Sequence, residues 1–189
     1  MQTNIAKIIS LVLAPLVVVI PATFMVSFFG TKNLLLSFEW MLVSLFFILT
    51  LMAPLVFFVK KGQFANLDVS VREQRPLLFF IEFVFAAIYF SVLYLFHAPK
   101  ELFIGIITIF ALLIVFGIVN KFIKASGHVG MLSAIITLLV LKGGPIFLLG
   151  FLLVPILAWA RLKTKRHTLN EVIAGTVVGV LVAALIAII

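Results

Sequence analysis

Leu102–Val119 reads LFIGIITIFALLIVFGIV, a run without a single charge and with one hydroxyl, Thr108. A helix that crosses the hydrocarbon core of a bilayer needs roughly 20 predominantly apolar residues, with about 17 to 25 the usual range. This run is of that length and is far too long for a strand. It does not alternate apolar and polar residues as a membrane-barrel strand does, so helix is the reading. Working outward, the same criterion marks Ile8–Phe29, Trp40–Val59 and Leu77–Phe96 before it. After it come two shorter runs, about Gly127–Leu141 and Pro145–Ala160, split by the breaker Lys142-Gly143-Gly144-Pro145. A final run covers Val172–Ile189. The expectation is an all-α, polytopic bundle of about six to seven membrane helices, seven on this count, in one domain spanning residues 1–189.

Composition points the same way. The 189 residues are 65% hydrophobic and 11% charged, and mean hydropathy is +1.39. Soluble domains carry about a quarter charged residues. The apolar excess needs lipid as its solvent. Met1–Lys7 leads directly into the first run, which is too long for a signal-peptide core and lacks a small-residue cleavage site, so a retained helix is expected. With no cysteine there is no disulfide or thiolate metal site. The net charge of +8 is scattered between apolar runs, so membrane lipids and an anionic substrate are the expected partners, and nucleic acid is not. Oligomeric state is not legible.

Three polar stretches interrupt the runs: KKGQFANLDVSVREQRP at 60–76, NKFIKASGH at 120–128 and RLKTKRHTLNE at 161–171. Two runs separate each from the next. An even number of crossings returns the chain to one face, so all three meet there. His167 and Glu171, four apart on a helix, share a side, and the carboxylate can orient the imidazole by holding one nitrogen while the other attacks. Arg161, six residues upstream in a bent connection, can grip phosphate oxygens. Ser126-Gly127-His128 opens a helix whose unpaired N–H groups suit an anion. Ser126 adds a hydroxyl, Gly127 a close approach, and His128 a proton for a leaving alkoxide. Arg72 and Arg75, ahead of Pro76, suit the charge spread over a phosphoryl group in its transition state. Glu82, inside the third run, is an ionisable group in the bilayer and a functional candidate for that reason. His97 and the remaining lysines read as interface and topology residues.

Over residues 60–180 these stretches resemble the type 2 phosphatidic acid phosphatase (PAP2) superfamily. Its pattern is a lysine–arginine–proline motif, then Ser-Gly-His, then an arginine, a histidine six later and an acid four beyond. Ser126-Gly127-His128 matches the second part, and Arg161, His167 and Glu171 the third. The resemblance implies His167 as the phosphohistidine-forming nucleophile, Glu171 as its orienting acid and His128 as general acid. Ser126, Gly127, Arg75 and Arg161 would hold the phosphate. It also implies no metal and no cofactor. Three departures stand out. Asp68 falls where the family has its lysine, with Arg72, Lys60 or Lys61 as substitutes; glutamate stands for the usual aspartate; and two full runs lie between the first and second motifs. The expected activity is hydrolysis of a lipid phosphomonoester or diphosphate, of phosphatidate, phosphatidylglycerophosphate or isoprenyl phosphate type. A phosphotransferase with the same intermediate, and a non-enzymatic transporter or scaffold, are the alternatives. Eleven of the 14 Lys and Arg fall on the motif face and only Lys32, Lys100 and Lys142 on the other. That excess places the active site in the cytoplasm of a cell-membrane protein, whereas the resemblance pulls toward the outer face.

Overall fold

The computed structural model describes residues 2–188, so Ile189, the last residue of the seventh run, lies outside the described residues. Eight α-helices form the fold, with no strand among the described residues. They are α1 (Gln2–Val12), α2 (Pro15–Thr31), α3 (Leu34–Lys60), α4 (Arg75–Leu95), α5 (Lys100–Val119), α6 (Gly127–Gly143), α7 (Leu153–Lys163) and α8 (Leu169–Ile188). A 3-10 stretch, Pro145–Leu152, runs into α7. Large apolar side chains point outward on every side, with Phe46, Phe80, Ile114 and Leu185 each more than half exposed. A soluble protein does not tolerate so continuous an apolar exterior. Lipid is the solvent this surface fits.

Five helical segments are long and apolar enough to cross a membrane, and a sixth if the bent pair α1 and α2 counts as one span. The first run is therefore not the single straight helix its composition suggests. It breaks at Leu13-Ala14 and the two parts bend by 43°. Pro15 is the cause: it has no N–H to donate and drives Ala14 into the extended region, at φ −66° and ψ 148°. The short α1 is strongly amphipathic, with Ile5, Ile8 and Leu11 exposed while Ala6 and Ser10 are buried. The second run starts earlier than its hydropathy indicates, at Leu34, because the Asn33 side chain accepts from Leu36 N and caps the helix.

At 17 residues, α6 lies at the lower limit of a span. It is the axis of the bundle. Nine of its residues are buried, and α2, α8 and the 3-10 stretch enclose it. Small residues make the α6–α8 crossing close. A Cβ on Gly175 would lie 2.5 Å from the Ser126 carbonyl oxygen, and one on Gly179 would strike the Gly130 carbonyl. Gly175 and Gly179 are four apart, the spacing that lets two membrane helices touch backbone to backbone. At the far end of the bundle Gly30 lies against Glu101 and Gly143 against Phe29, so the ends carrying Lys32, Lys100 and Lys142 gather there. The three polar stretches gather at the opposite end.

Candidate active site

The close α6–α8 crossing brings two helix starts together. Ser126 N donates to the Glu171 carbonyl at 2.8 Å, which ties the Ser-Gly-His turn to the first turn of α8. In that turn the Glu171 carboxylate has two jobs. Its Oε2 accepts from His167 Nδ1 at 2.8 Å and from Thr168 N at 3.2 Å, while Glu171 N donates to Thr168 Oγ1 at 3.4 Å. Thr168 and Glu171 thus form a reciprocal capping box. Thr168-Leu169-Asn170-Glu171 carries that signature in the sequence. With the carboxylate accepting, the ring proton sits on Nδ1 and Nε2 carries the lone pair.

His167 is buried, and the positive groups around it leave the ring neutral. Burial, then the charges of Arg161 and Arg75, push it down to about 4 from the ordinary 6.5, with the Glu171 hydrogen bond pulling the other way. Arg161 is not in a bent connection as its position in a polar stretch suggests. It is helical, in the last turn of α7, and buried at 2% exposure. Only Thr164–Thr168 is loop, and Arg161 O accepts from both Arg166 N and His167 N to close that turn. Its Nη1 donates to Ser10 Oγ at 2.6 Å and to Asp68 Oδ2 at 2.9 Å, while Nε has no partner.

Arg75 opens α4 and donates through Nη1 to the Ala125 carbonyl at 2.8 Å and through Nε to the Val69 carbonyl at 3.4 Å. It pins the first polar stretch to the second. His128, in the first turn of α6, places Nε2 3.7 Å from Asp68 Oδ1. Ser126 is fully buried, and among the described residues its hydroxyl has no partner. A Cβ on Gly127 would meet nothing within 4 Å, so the space beside that backbone is open.

Two residues take parts that differ from expectation. Arg72, grouped with the phosphate binders, donates instead through Nε to the Asn120 carbonyl, and Asn120 Nδ2 returns a bond to the Arg72 carbonyl at 3.3 Å. That reciprocal pair joins two loops; it does not reach the histidines. Asp68 lies between Arg161 and His128, with Oδ2 2.9 Å from Arg161 Nη1 and Oδ1 3.7 Å from His128 Nε2. Burial pushes its carboxyl up, but His128, Arg161 and Arg166 more than offset that and hold it below its ordinary 3.8. The neighbouring Val69 sits at φ +41°, a strained conformation for a β-branched residue, so the fold holds this turn against its local preference.

Ser10 and Lys124 were missed. Ser10 comes from a helix read as membrane bulk, and only tertiary folding brings it to Arg161. Lys124 Nζ donates to the Arg166 carbonyl at 2.9 Å and lies 3.9 Å from Glu171 Oε2, where topology alone seemed its role. Among the described residues no three His, Asp or Glu side chains converge in a way that could hold a metal. Comparison of the chain with family models, with curated proteins and with solved structures finds no match.

Proposed function

We propose that the chain is a membrane phosphatase that hydrolyses a lipid phosphate through a phosphohistidine on His167. The observation that carries this reading is the His167 Nδ1–Glu171 Oε2 bond at 2.8 Å on a buried ring under the charges of Arg161 and Arg75. It leaves the Nε2 lone pair free, within the field of guanidinium groups that favour an anion. Nε2 attacks phosphorus, the N–P bond forms and the bond to the lipid oxygen breaks. His128 is placed to hand a proton to the departing alkoxide. Water then cleaves the N–P bond and releases inorganic phosphate. Arg75, Arg161 with its unpartnered Nε, and the Ser126 hydroxyl are the donors for the phosphoryl oxygens. The PAP2 resemblance assigns these positions the same roles.

The test is release of inorganic phosphate by purified protein from a panel of lipid phosphates in detergent micelles containing chelator. Turnover should persist without divalent metal, because guanidinium groups carry the phosphoryl charge, and vanadate should inhibit as a mimic of the pentavalent centre. Silence across the panel, or activity that vanishes in chelator and returns with magnesium, would count against the assignment.

The site end carries the excess of Lys and Arg, so on this reading it faces the cytoplasm. The chain has no cysteine, and Gln63 and Lys100 are exposed at opposite ends. Single cysteines there report sidedness. In intact cells an impermeant thiol reagent should label Lys100→Cys and spare Gln63→Cys. The reverse pattern would invert the orientation.

A further inference from the structure

An apolar cavity of about 200 Å³ lies inside the bundle, walled by α2, α3, α4, α5 and α6. Its upper end reaches Met131, one turn beyond His128, and along α2 it runs from Leu16 to Val26, ten residues or about 15 Å of helix. It is therefore an elongated space that begins beneath the phosphate cluster. Most of the polar side chains on its wall are already satisfied. Thr23 Oγ1 donates to Val19 O, Thr108 Oγ1 to Ile104 O, and Ser44 Oγ and Tyr89 OH bond each other at 2.7 Å. Glu82 is the exception. It lines the cavity, and among the described residues nothing hydrogen-bonds or ion-pairs with it; Arg75, two turns earlier on α4, is the one charge that bears on it. A carboxyl left against hydrocarbon carries its full desolvation cost, and such groups are retained where they meet a partner.

We infer that Glu82 is a specificity residue for the lipid backbone, and that the cavity takes the chain of an acylglycerol phosphate in preference to an isoprenyl phosphate. This rests on the phosphatase reading above. Glu82 lies seven residues, about 10 Å of helix, below Arg75. Helical side chains tilt toward the N-terminus, which carries its carboxyl back toward the cluster. A lipid with its phosphate among Arg75, Arg161 and His167 presents its first few carbons at that depth. In a diacylglycerol phosphate those atoms carry ester oxygens, which can accept a hydrogen bond from the carboxyl when it holds its proton. In an isoprenyl phosphate they are hydrocarbon, and Glu82 stays unpaired.

The test compares dioleoylglycerol phosphate with farnesyl phosphate on wild-type protein, Glu82→Gln and Glu82→Leu. Wild type should favour the acylglycerol. Glu82→Leu should lose about tenfold or more in kcat/KM on the acylglycerol and keep or gain turnover of farnesyl phosphate, which also shows that it folds. Glu82→Gln, which still hydrogen-bonds, should stay within about threefold of wild type on the acylglycerol. Equal losses on both lipids would make Glu82 structural and overturn the inference. So would no change on either, or a wild-type preference for the isoprenoid. If wild type releases phosphate from neither lipid, the phosphatase reading fails by itself. Retention of radiolabelled dioleoylglycerol phosphate in mixed micelles then decides the cavity: retention lost in Glu82→Leu upholds it, and no selective retention overturns it.

Discussion

His167→Ala is expected to cut turnover by about four orders of magnitude or more, the scale seen when a covalent nucleophile is removed, while the protein still inserts and folds. His167 spans no part of the bilayer; it is the fourth residue of a five-residue loop, and the Thr168–Glu171 cap survives without it. Phosphate release by purified variant and wild type, each shown monodisperse in detergent, measures the effect. Folded His167→Ala protein turning over at near wild-type rate would end the phosphohistidine mechanism. Glu171→Gln should weaken turnover without erasing it, since the nucleophile stays and only its orientation is lost. The pH dependence follows from the same geometry. The ring is pushed down to about 4, so the attacking lone pair is present throughout the neutral range and is lost only as pH falls through that value. The acid limb of kcat/KM due to the nucleophile should thus fall near pH 4 and not near 6.5. Nitrogen-resolved titration of the His167 ring separates this limb from ionisation of the substrate.

The second large effect belongs to a residue with no chemistry. Gly175→Val should destabilise the bundle by about 1–3 kcal/mol, the usual cost of overpacking, and abolish activity as well. A Cβ there lies 2.5 Å from the Ser126 carbonyl, which is backbone and cannot swing aside. The start of α8 must then back away from α6, and the Ser126 N–Glu171 O bond that aligns the two motifs breaks. Gly117→Ala is the control, since a Cβ there meets nothing closer than Phe79 Cδ2 at 4.0 Å. Denaturation midpoints and phosphate release should fall for Gly175→Val and hold for Gly117→Ala. Wild-type activity in Gly175→Val would show that the crossing does not hold the site.

Hydropathy alone carried the reading that the protein is all-helical with helices fit to cross a membrane, because a charge-free run such as Leu102–Val119 has few other stable states. The meeting of the three polar stretches followed from counting crossings. The bend at Pro15 was legible as a proline signal but hidden by the length of the apolar run around it. What the one-dimensional pattern could not hold was who pairs with whom. Arg72 and Arg75 look alike in sequence, yet one joins Asn120 and the other the Ala125 carbonyl next to Ser126-Gly127-His128, because a three-residue offset at a helix start turns the side chain to another neighbour. Ser10 and Arg161 are 151 positions apart, and nothing local marks them as partners.

Asp68 also bears on how Arg161 can be buried at all. Arg161 is almost wholly enclosed, and an enclosed guanidinium without a counter-charge would cost several kcal/mol. The carboxylate of Asp68 at 2.9 Å supplies that charge before any ligand arrives, held there by a turn strained at Val69. The buried guanidinium is thus neutralised by the chain itself. On the proposed reading, a phosphate reaching Arg161 would share it with this carboxylate or displace it, so binding would be an exchange of one anion for another. Its affinity would then be the difference between the two, and on its departure a covalently tethered carboxylate would return to the same place.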